Sequence, residues 1–285
     1  MFDRLGNSYE LVRASFGVLR KDKELIAFPI ISSILCVLVS ASFVVPAWQS
    51  GALERTADQL AERPGSAESY LWVVTLFLFY FCNYFVIIFC NTSLIGAALI
   101  RLQGGDPTVR DGVRIAFSRI GSIFRYAVIA ATVGLLLRLI EERLDWVGRI
   151  VTAIMGTAWS LASYLVVPVI VSERGGAWRS LKRSASLLRD TWGEQIIGNF
   201  GIGLFFGLMA LLGFVPLAGI GWLTGSTYGW VAAAVVAVLY WALLGVAAAA
   251  VGGIYTAAVY LYATQGQAPP GFDQSLVENA FRPKG

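Results

Sequence analysis

Six apolar stretches, each long enough to cross a bilayer as a helix, dominate this chain and leave it one class of fold. They run approximately from Leu25 to Ala47, Tyr70 to Ile100, Gly121 to Ile140, Trp146 to Val171, Gln195 to Leu223 and Tyr228 to Tyr262. A crossing needs about 20 helical residues. The second, fifth and sixth exceed that, so they are expected to tilt or to extend past the hydrocarbon. Strands of a barrel would show short alternating segments, so the expected fold is all-α: a polytopic membrane protein with six transmembrane helices.

The residues preceding the first stretch argue against a cleaved leader. They include Asp3, Glu10, Asp22 and Glu24, unlike a short basic n-region, and the stretch is too long for an h-region. Lys and Arg then set the expected orientation. Arg4, Arg13, Arg20, Lys21 and Lys23 precede span one; Arg101, Arg110, Arg114 and Arg119 follow span two; Arg174, Arg179, Lys182, Arg183 and Arg189 follow span four; Arg282 and Lys284 end the chain. The alternate loops hold only Arg55, Arg63, Arg143 and Arg149. The positive-inside rule therefore places both termini in the cytoplasm.

Composition removes most enzyme chemistry. Of 285 residues 57% are hydrophobic and 14% charged, and there is no His, which excludes Ser-His triads, histidine metal ligation and histidine proton relays. Cys36, Cys82 and Cys90 lie inside apolar runs with no CxxC pair, and are expected as buried thiols. No Walker loop, dinucleotide fingerprint or paired-carboxylate motif is present, so no catalytic residue, cofactor or metal site is expected. The net charge of +4 comes without a basic tract or nucleic-acid motif and points to a membrane surface, not to nucleic acid.

An internal repeat emerges when the three basic segments that precede a pair of spans are overlaid. Val12, Arg13, Phe16 and Leu19 fall opposite Val113, Arg114, Phe117 and Ile120, and opposite Leu181, Lys182, Ala185 and Leu188. Each segment is expected as an amphipathic interfacial helix. In the first, Phe2, Leu5, Tyr9, Val12, Phe16 and Leu19 form an apolar stripe; the second is expected to start at Asp106 and Pro107, and the third near Gly175 and Gly176. The expected unit is one such helix plus a transmembrane hairpin, used three times over about 1–100, 101–171 and 172–262. An even number of crossings per unit makes these parallel repeats within one membrane domain, 1–262. Residues 263–285 are expected as an extended cytoplasmic tail.

The segments Asn7 to Leu11, Leu19 to Phe28, Gly104 to Thr108 with Asp111 and Gly112, Leu181 to Arg189 with Thr191 to Glu194, and Pro270 to Asp273 with Ala280 and Phe281 carry a resemblance. Together they resemble a bacterial six-span membrane family of unknown function. That resemblance implies the fold and a bacterial cytoplasmic (inner) membrane, and no activity. The third repeat is distantly similar to the membrane domain attached to some glycerophosphodiester phosphodiesterases, but no phosphodiesterase catalytic part accompanies it.

Candidate functional positions follow from these patterns. Gly148, Thr152, Gly156 and Ser160 recur every four residues on span four, and Gly203 with Gly207 continue the small-residue pattern on span five; Gly245, Ala249, Gly253 and Ala257 do so on span six. They are expected to pack helices closely in the bundle interior. The aromatic second span, with Phe77, Phe81, Phe85 and Phe89 among others, is expected to face lipid or, as the alternative, a second copy of the chain. Asn83 and Asn91 lie on nearly one face and are expected to bridge helices, and Arg138 to be neutralised by Glu141 or Glu142 one turn away. No carboxylate falls in the central portion of a span, which argues against a proton-coupled pump.

The leading expectation is a non-enzymatic membrane scaffold or accessory subunit whose basic positions Arg13, Arg114 and Lys182 bind anionic membrane lipid, a protein partner or a second copy of the chain. The alternative is a transporter or pore for a small or lipid-like solute along the axis between repeats. A lipid-modifying enzyme would have only Asp106, Asp111, Glu173, Asp190 and Glu194 as acids at that face. Topology gives the first test: reporters fused after Gly104, Gly175 and the C-terminus should read cytoplasmic and one after Gly65 should read outside. A cytoplasmic signal at Gly65 would overturn the six-span reading.

Overall fold

A computed structural model describes residues 2–51, 67–143, 146–173, 175–192, 201–224 and 226–278. Among them there is helix and turn, and no strand. Helix α1 is Phe2–Lys21, and a short 3-10 helix, Lys23–Ile26, leads into α2, Ala27–Gln49. Then follow α3 (Ala67–Leu102), α4 (Val109–Ser118), α5 (Ile120–Arg143), α6 (Trp146–Ser163), α7 (Val166–Ser172), α8 (Ala177–Trp192), α9 (Gly201–Thr224), α10 (Thr227–Gln265) and α11 (Gln274–Glu278).

Among the described residues five stretches are long and apolar enough to cross a membrane: Lys23–Gln49, Tyr70–Leu102, Ile120–Glu141, Gly148–Ser172 and Thr227–Gln265. The chain has the architecture of a membrane protein. The expected fifth span, Gln195 to Leu223, enters the described residues only as α9, within which Phe205–Phe214 is a shorter apolar helix. Arg55, Arg63, Arg174, Arg282 and Lys284 lie outside the described residues. With 36 residues, α3 reaches about 54 Å, well beyond the roughly 30 Å of hydrocarbon.

Helix ends follow from local chemistry. The start of α4 lies later than the sequence suggests: Thr108 caps it, its Oγ1 accepting from the Asp111 backbone N–H at 3.3 Å while the Asp111 carboxylate accepts from the Thr108 N–H at 3.1 Å. Ser226 caps α10, accepting from the Gly229 N–H at 3.1 Å. Gly266 ends α10 at φ 72°, a left-handed conformation that costs glycine nothing.

The contacts divide the chain into two compact units. One comprises Met1–Ile30, Leu94–Gly112 and Ser186–Gly285. Within it α1 packs on α9 and α10, and Val251, Ile254, Ala258 and Val259 in the C-terminal half of α10 are fully buried. The tail is not extended here. Beyond the turn at Pro269 to Gly271, α11 packs against α10 and α1 with Phe272 and Val277 buried, and Gln274 closes the turn by accepting from the Ala268 N–H at 2.8 Å and donating to the Gly266 carbonyl.

The other unit comprises Ile31–Ser93 and Val113–Ala185. Its core joins Ile88 of α3 to Ala116, Ile123, Ala127, Val166, Ile170 and Leu181. The aromatic face of α3 is partly turned inward, contrary to expectation: Phe81, Phe85 and Phe89 pack on this core, and Phe81–Phe124 and Phe89–Phe117 meet edge to face at 5.1 Å. Edge-to-face pairing uses the ring quadrupole as well as buried area, which a lipid contact would forgo.

Close approach falls on part of the small-residue ladder and on glycines outside it. A Cβ at Gly156 or Gly207 meets nothing within 4 Å. Gly203 and Ser160 are exposed, whereas Gly148 and Thr152 are buried, with the Thr152 hydroxyl donating to the Gly148 carbonyl at 2.9 Å. Tight positions among the described glycines include Gly253 of the ladder on span six, whose Cβ would strike Leu94, and, outside the ladder, Gly213 against the Tyr240 ring and Gly134, where a Cβ would lie 3.1 Å from the Tyr84 hydroxyl. A spacing of four shows where a backbone is thin; the neighbour decides whether anything fills the notch. Gly253→Leu should therefore lower the thermal midpoint of the detergent-solubilised chain by the equivalent of about 1–3 kcal/mol. Gly156→Leu should stay within about 0.5 kcal/mol. Equal losses would mean that Gly156 meets a neighbour after all.

Candidate functional site

Helices α1, α4 and α8 carry the three basic positions, and each is buried on one side and exposed on the other. Arg13, Arg114 and Lys182 are all exposed. On the opposite side Ser15, Ala116 and Ser184, which occupy matching places, are all at 0% exposure. Val12 and Leu181 are buried and Val113 half-buried; Leu19 and Leu188 are buried, whereas Ile120 is exposed because α4 has already ended at Ser118. Four residues before the cation stand Tyr9 in α1 and Trp178 in α8, both exposed, with Arg110 at that place in α4. The Lys182 ammonium lies 5.6 Å from the Trp178 ring centre, and the Arg20 guanidinium 5.9 Å from that of Phe16.

Polar contacts anchor these helices. Where α1 ends, the nearly buried Asp22 takes both arms of the Arg101 guanidinium, and Asp106 binds the same group. Glu24 accepts from the Val109 N–H at 2.9 Å, satisfying one of the free donors at the start of α4. Removing one partner of a pair like Asp22–Arg101 strands a charge away from water, so the pair fixes the α1 terminus against the end of α3. Sequence patterns overlooked this contact; its signals are an acid between Lys21 and Lys23 and a lone Arg closing the longest apolar run but one.

A second set surrounds the break in span four. Pro168 has no N–H for the Tyr164 carbonyl, and its ring opposes that carbonyl, so the expected single helix Trp146 to Val171 splits into α6 and α7 at Tyr164 and Leu165. The Leu165 N–H, fully buried, donates instead to the Ser184 hydroxyl of α8 at 2.9 Å. Arg119 donates to the Val171 carbonyl at 3.1 Å, Ser122 to the Gly175 carbonyl at 3.2 Å, and Arg183 pairs with Glu173 at 3.2 Å.

The intramembrane polar residues are partly brought together. Asn83 accepts from the Ser40 hydroxyl of α2 at 3.4 Å and donates to the Phe79 carbonyl at 2.9 Å. Asn91 is half-buried and forms no side-chain hydrogen bond with another described helix. Arg138 donates to the Tyr80 hydroxyl at 2.8 Å, and the cleft around it also holds Glu141 and Arg149. Glu142 has no described side chain.

Among the described residues no cluster of His, Cys, Asp and Glu is arranged to hold a metal ion. What the helices present is charge beside aromatic rings on surfaces backed by apolar packing. Over residues 70–271 the sequence matches a family of unknown function, DUF6159. The chain belongs to that family. The DUF6159 match begins in α3 and ends at the turn before α11, so α4 and α8 lie within it and α1 outside it. No curated protein and no solved structure matches the chain.

The Ser184 contact yields a paired test. Ser184→Ala leaves the Leu165 N–H without its acceptor and should cost about 1–3 kcal/mol in stability. Ser15→Ala, at the matching place where the hydroxyl finds no partner among the described residues, should be neutral or stabilising. Thermal midpoints of the two variants in the same detergent would decide; equal losses would show that burial alone, and not the cap, sets the cost.

Proposed function

We propose that this chain is a non-enzymatic integral membrane scaffold or accessory subunit of the bacterial cytoplasmic membrane, with six crossings and both termini cytoplasmic. Three parallel repeats each supply one amphipathic interfacial helix, α1, α4 and α8, and their basic positions bind anionic lipid or a protein partner at the cytoplasmic face. The reading is carried by one observation: the same position of each helix is an exposed cation, Arg13, Arg114 or Lys182, while the residue two places on is fully buried. Such a helix lies flat with its apolar side covered and its charge at headgroup level. Tyr9 and Trp178 beside the cation suit the same layer, where rings with one polar edge accumulate. The exposed apolar side chains of α2, α9 and α10, Val37, Leu211 and Leu243 among them, support a lipid surrounding.

Each cation near an anionic surface contributes about 1 kcal/mol, weakened by salt. The variant with Arg13→Glu, Arg114→Glu and Lys182→Glu should therefore copurify with much less anionic lipid, or without its protein partner. The spans should stay inserted, because the apolar stretches drive insertion. Lipid extraction and mass spectrometry of both proteins in native-lipid particles give the comparison. Unchanged lipid and partner content in a correctly inserted variant would overturn the platform and move weight to transport along the axis between repeats.

A further inference from the structure

A groove of about 710 Å³ opens between α1, α9 and α10, within the roughly 300–1,000 Å³ of ligand sites. Its walls are apolar: Phe16 of α1, Phe205, Phe206 and Met209 of α9, Leu244 of α10. Arg13 and Arg20 also line it, and no acid does among the described residues. Positions 13, 17 and 20 follow the i, i+4, i+7 spacing of one helix face, so both guanidinium groups and Gly17 stand along the same edge. Neither arginine forms an ion pair with a described residue, while the Arg20 guanidinium lies against the Phe16 ring. Arg13 and Gly17 also border a second cleft, whose lining includes Glu10, Asp273 and Lys21. At Gly17 a Cβ would meet nothing within 4 Å, so the edge of the groove is open there.

Apolar walls with unneutralised cations at one edge match an amphiphile whose acyl part is apolar and whose head carries a negative charge. A soluble anion would leave the apolar walls wet, and a zwitterionic lipid would bring its own cationic group beside two guanidinium groups. We infer that this groove binds one anionic phospholipid, its acyl chains against Phe205, Met209 and Leu244 and its phosphate between Arg13 and Arg20. Planar guanidinium groups suit the phosphate because they donate two parallel hydrogen bonds. The inference rests on the membrane-surface reading of α1 and sharpens it from a charged surface to a bounded site.

Gly17→Leu separates the two, because it fills the open edge of the groove and leaves every cation in place. The full-length chain, delipidated in detergent, would be titrated with phosphatidylglycerol, phosphatidylcholine and inorganic phosphate and followed by native mass spectrometry. The expected result is one phosphatidylglycerol per chain, bound at least tenfold more tightly than phosphatidylcholine and not displaced by millimolar phosphate. Gly17→Leu should weaken it about tenfold or more at unchanged thermal midpoint. Arg20→Gln, at an exposed position that the fold does not need, should weaken phosphatidylglycerol about fivefold and leave phosphatidylcholine unchanged. Equal affinity for the two lipids, displacement by free phosphate, or binding indifferent to both substitutions would each overturn the groove site. General enrichment of anionic lipid, lost only in the triple glutamate variant, would in that case still stand for the platform.

Discussion

A backbone N–H or C=O in hydrocarbon has no water to bond, so each break in a helix must bring its own partner. Most of this chain meets that demand by remaining helical, and several threonine hydroxyls bond back along their own helix. Thr92 donates to the Ile88 carbonyl at 2.7 Å, Thr132 to Val128 and Thr256 to Gly252 at 2.8 Å. Pro168 is where the demand is met from outside. The break it causes at Leu165 requires an acceptor, and Ser184 of α8 supplies it. Arg119 and Ser122 at the α4–α5 junction take up carbonyls on the far side of α7. One missing N–H thus fixes the register of α8 on span four, and with it the face that carries Lys182.

At α1 the anchor is ionic. The Asp22–Arg101 contact and the Glu24 bond to Val109 hold the loop that follows α1, so the helix cannot slide along its axis without stranding Asp22. The C-terminal segment adds a second constraint: Phe272 and Val277 are buried where α11 meets α1 and α10. Arg13 is consequently held between two clefts, one shared with the tail and one with α9 and α10. A flexible arginine on a free helix would lose more conformational freedom on binding, and a fixed backbone reduces that cost.

The membrane class, the limits of α1 and α8 and the position of most spans were legible in the sequence, because hydropathy and helical period report on burial residue by residue. The break at Leu165 was not, although Pro168 stood in plain view: an apolar window averages side chains and is blind to a missing N–H. The packing glycines misled for a different reason. Gly156 and Gly253 are alike in sequence context, and only the side chain opposite, open space in one case and Leu94 in the other, separates them. Gly213 went unremarked because its partner, Tyr240, lies on another helix at a separation no local pattern records. The tail contains few apolar residues, and two of them, Phe272 and Val277, suffice to dock it.

Ser15, Ala116 and Ser184 show what the proposed repeat retains. All three are fully buried and all three are small, yet one hydroxyl caps a broken helix, one has no partner among the described residues, and one position has no hydroxyl at all. A constraint on chemistry would have kept the hydroxyl in each copy; a constraint on volume would accept either Ser or Ala, as is seen. The buried side of these helices is therefore governed by close packing, with the hydroxyl of α8 put to use where a proline opened the neighbouring backbone. On the exposed side the order is reversed. Arg13, Arg114 and Lys182 differ in shape but share a charge, and nothing in their packing demands one, since all three project from the surface. A charge that recurs where packing is indifferent to it fits the proposed contact of each helix with an anionic headgroup layer.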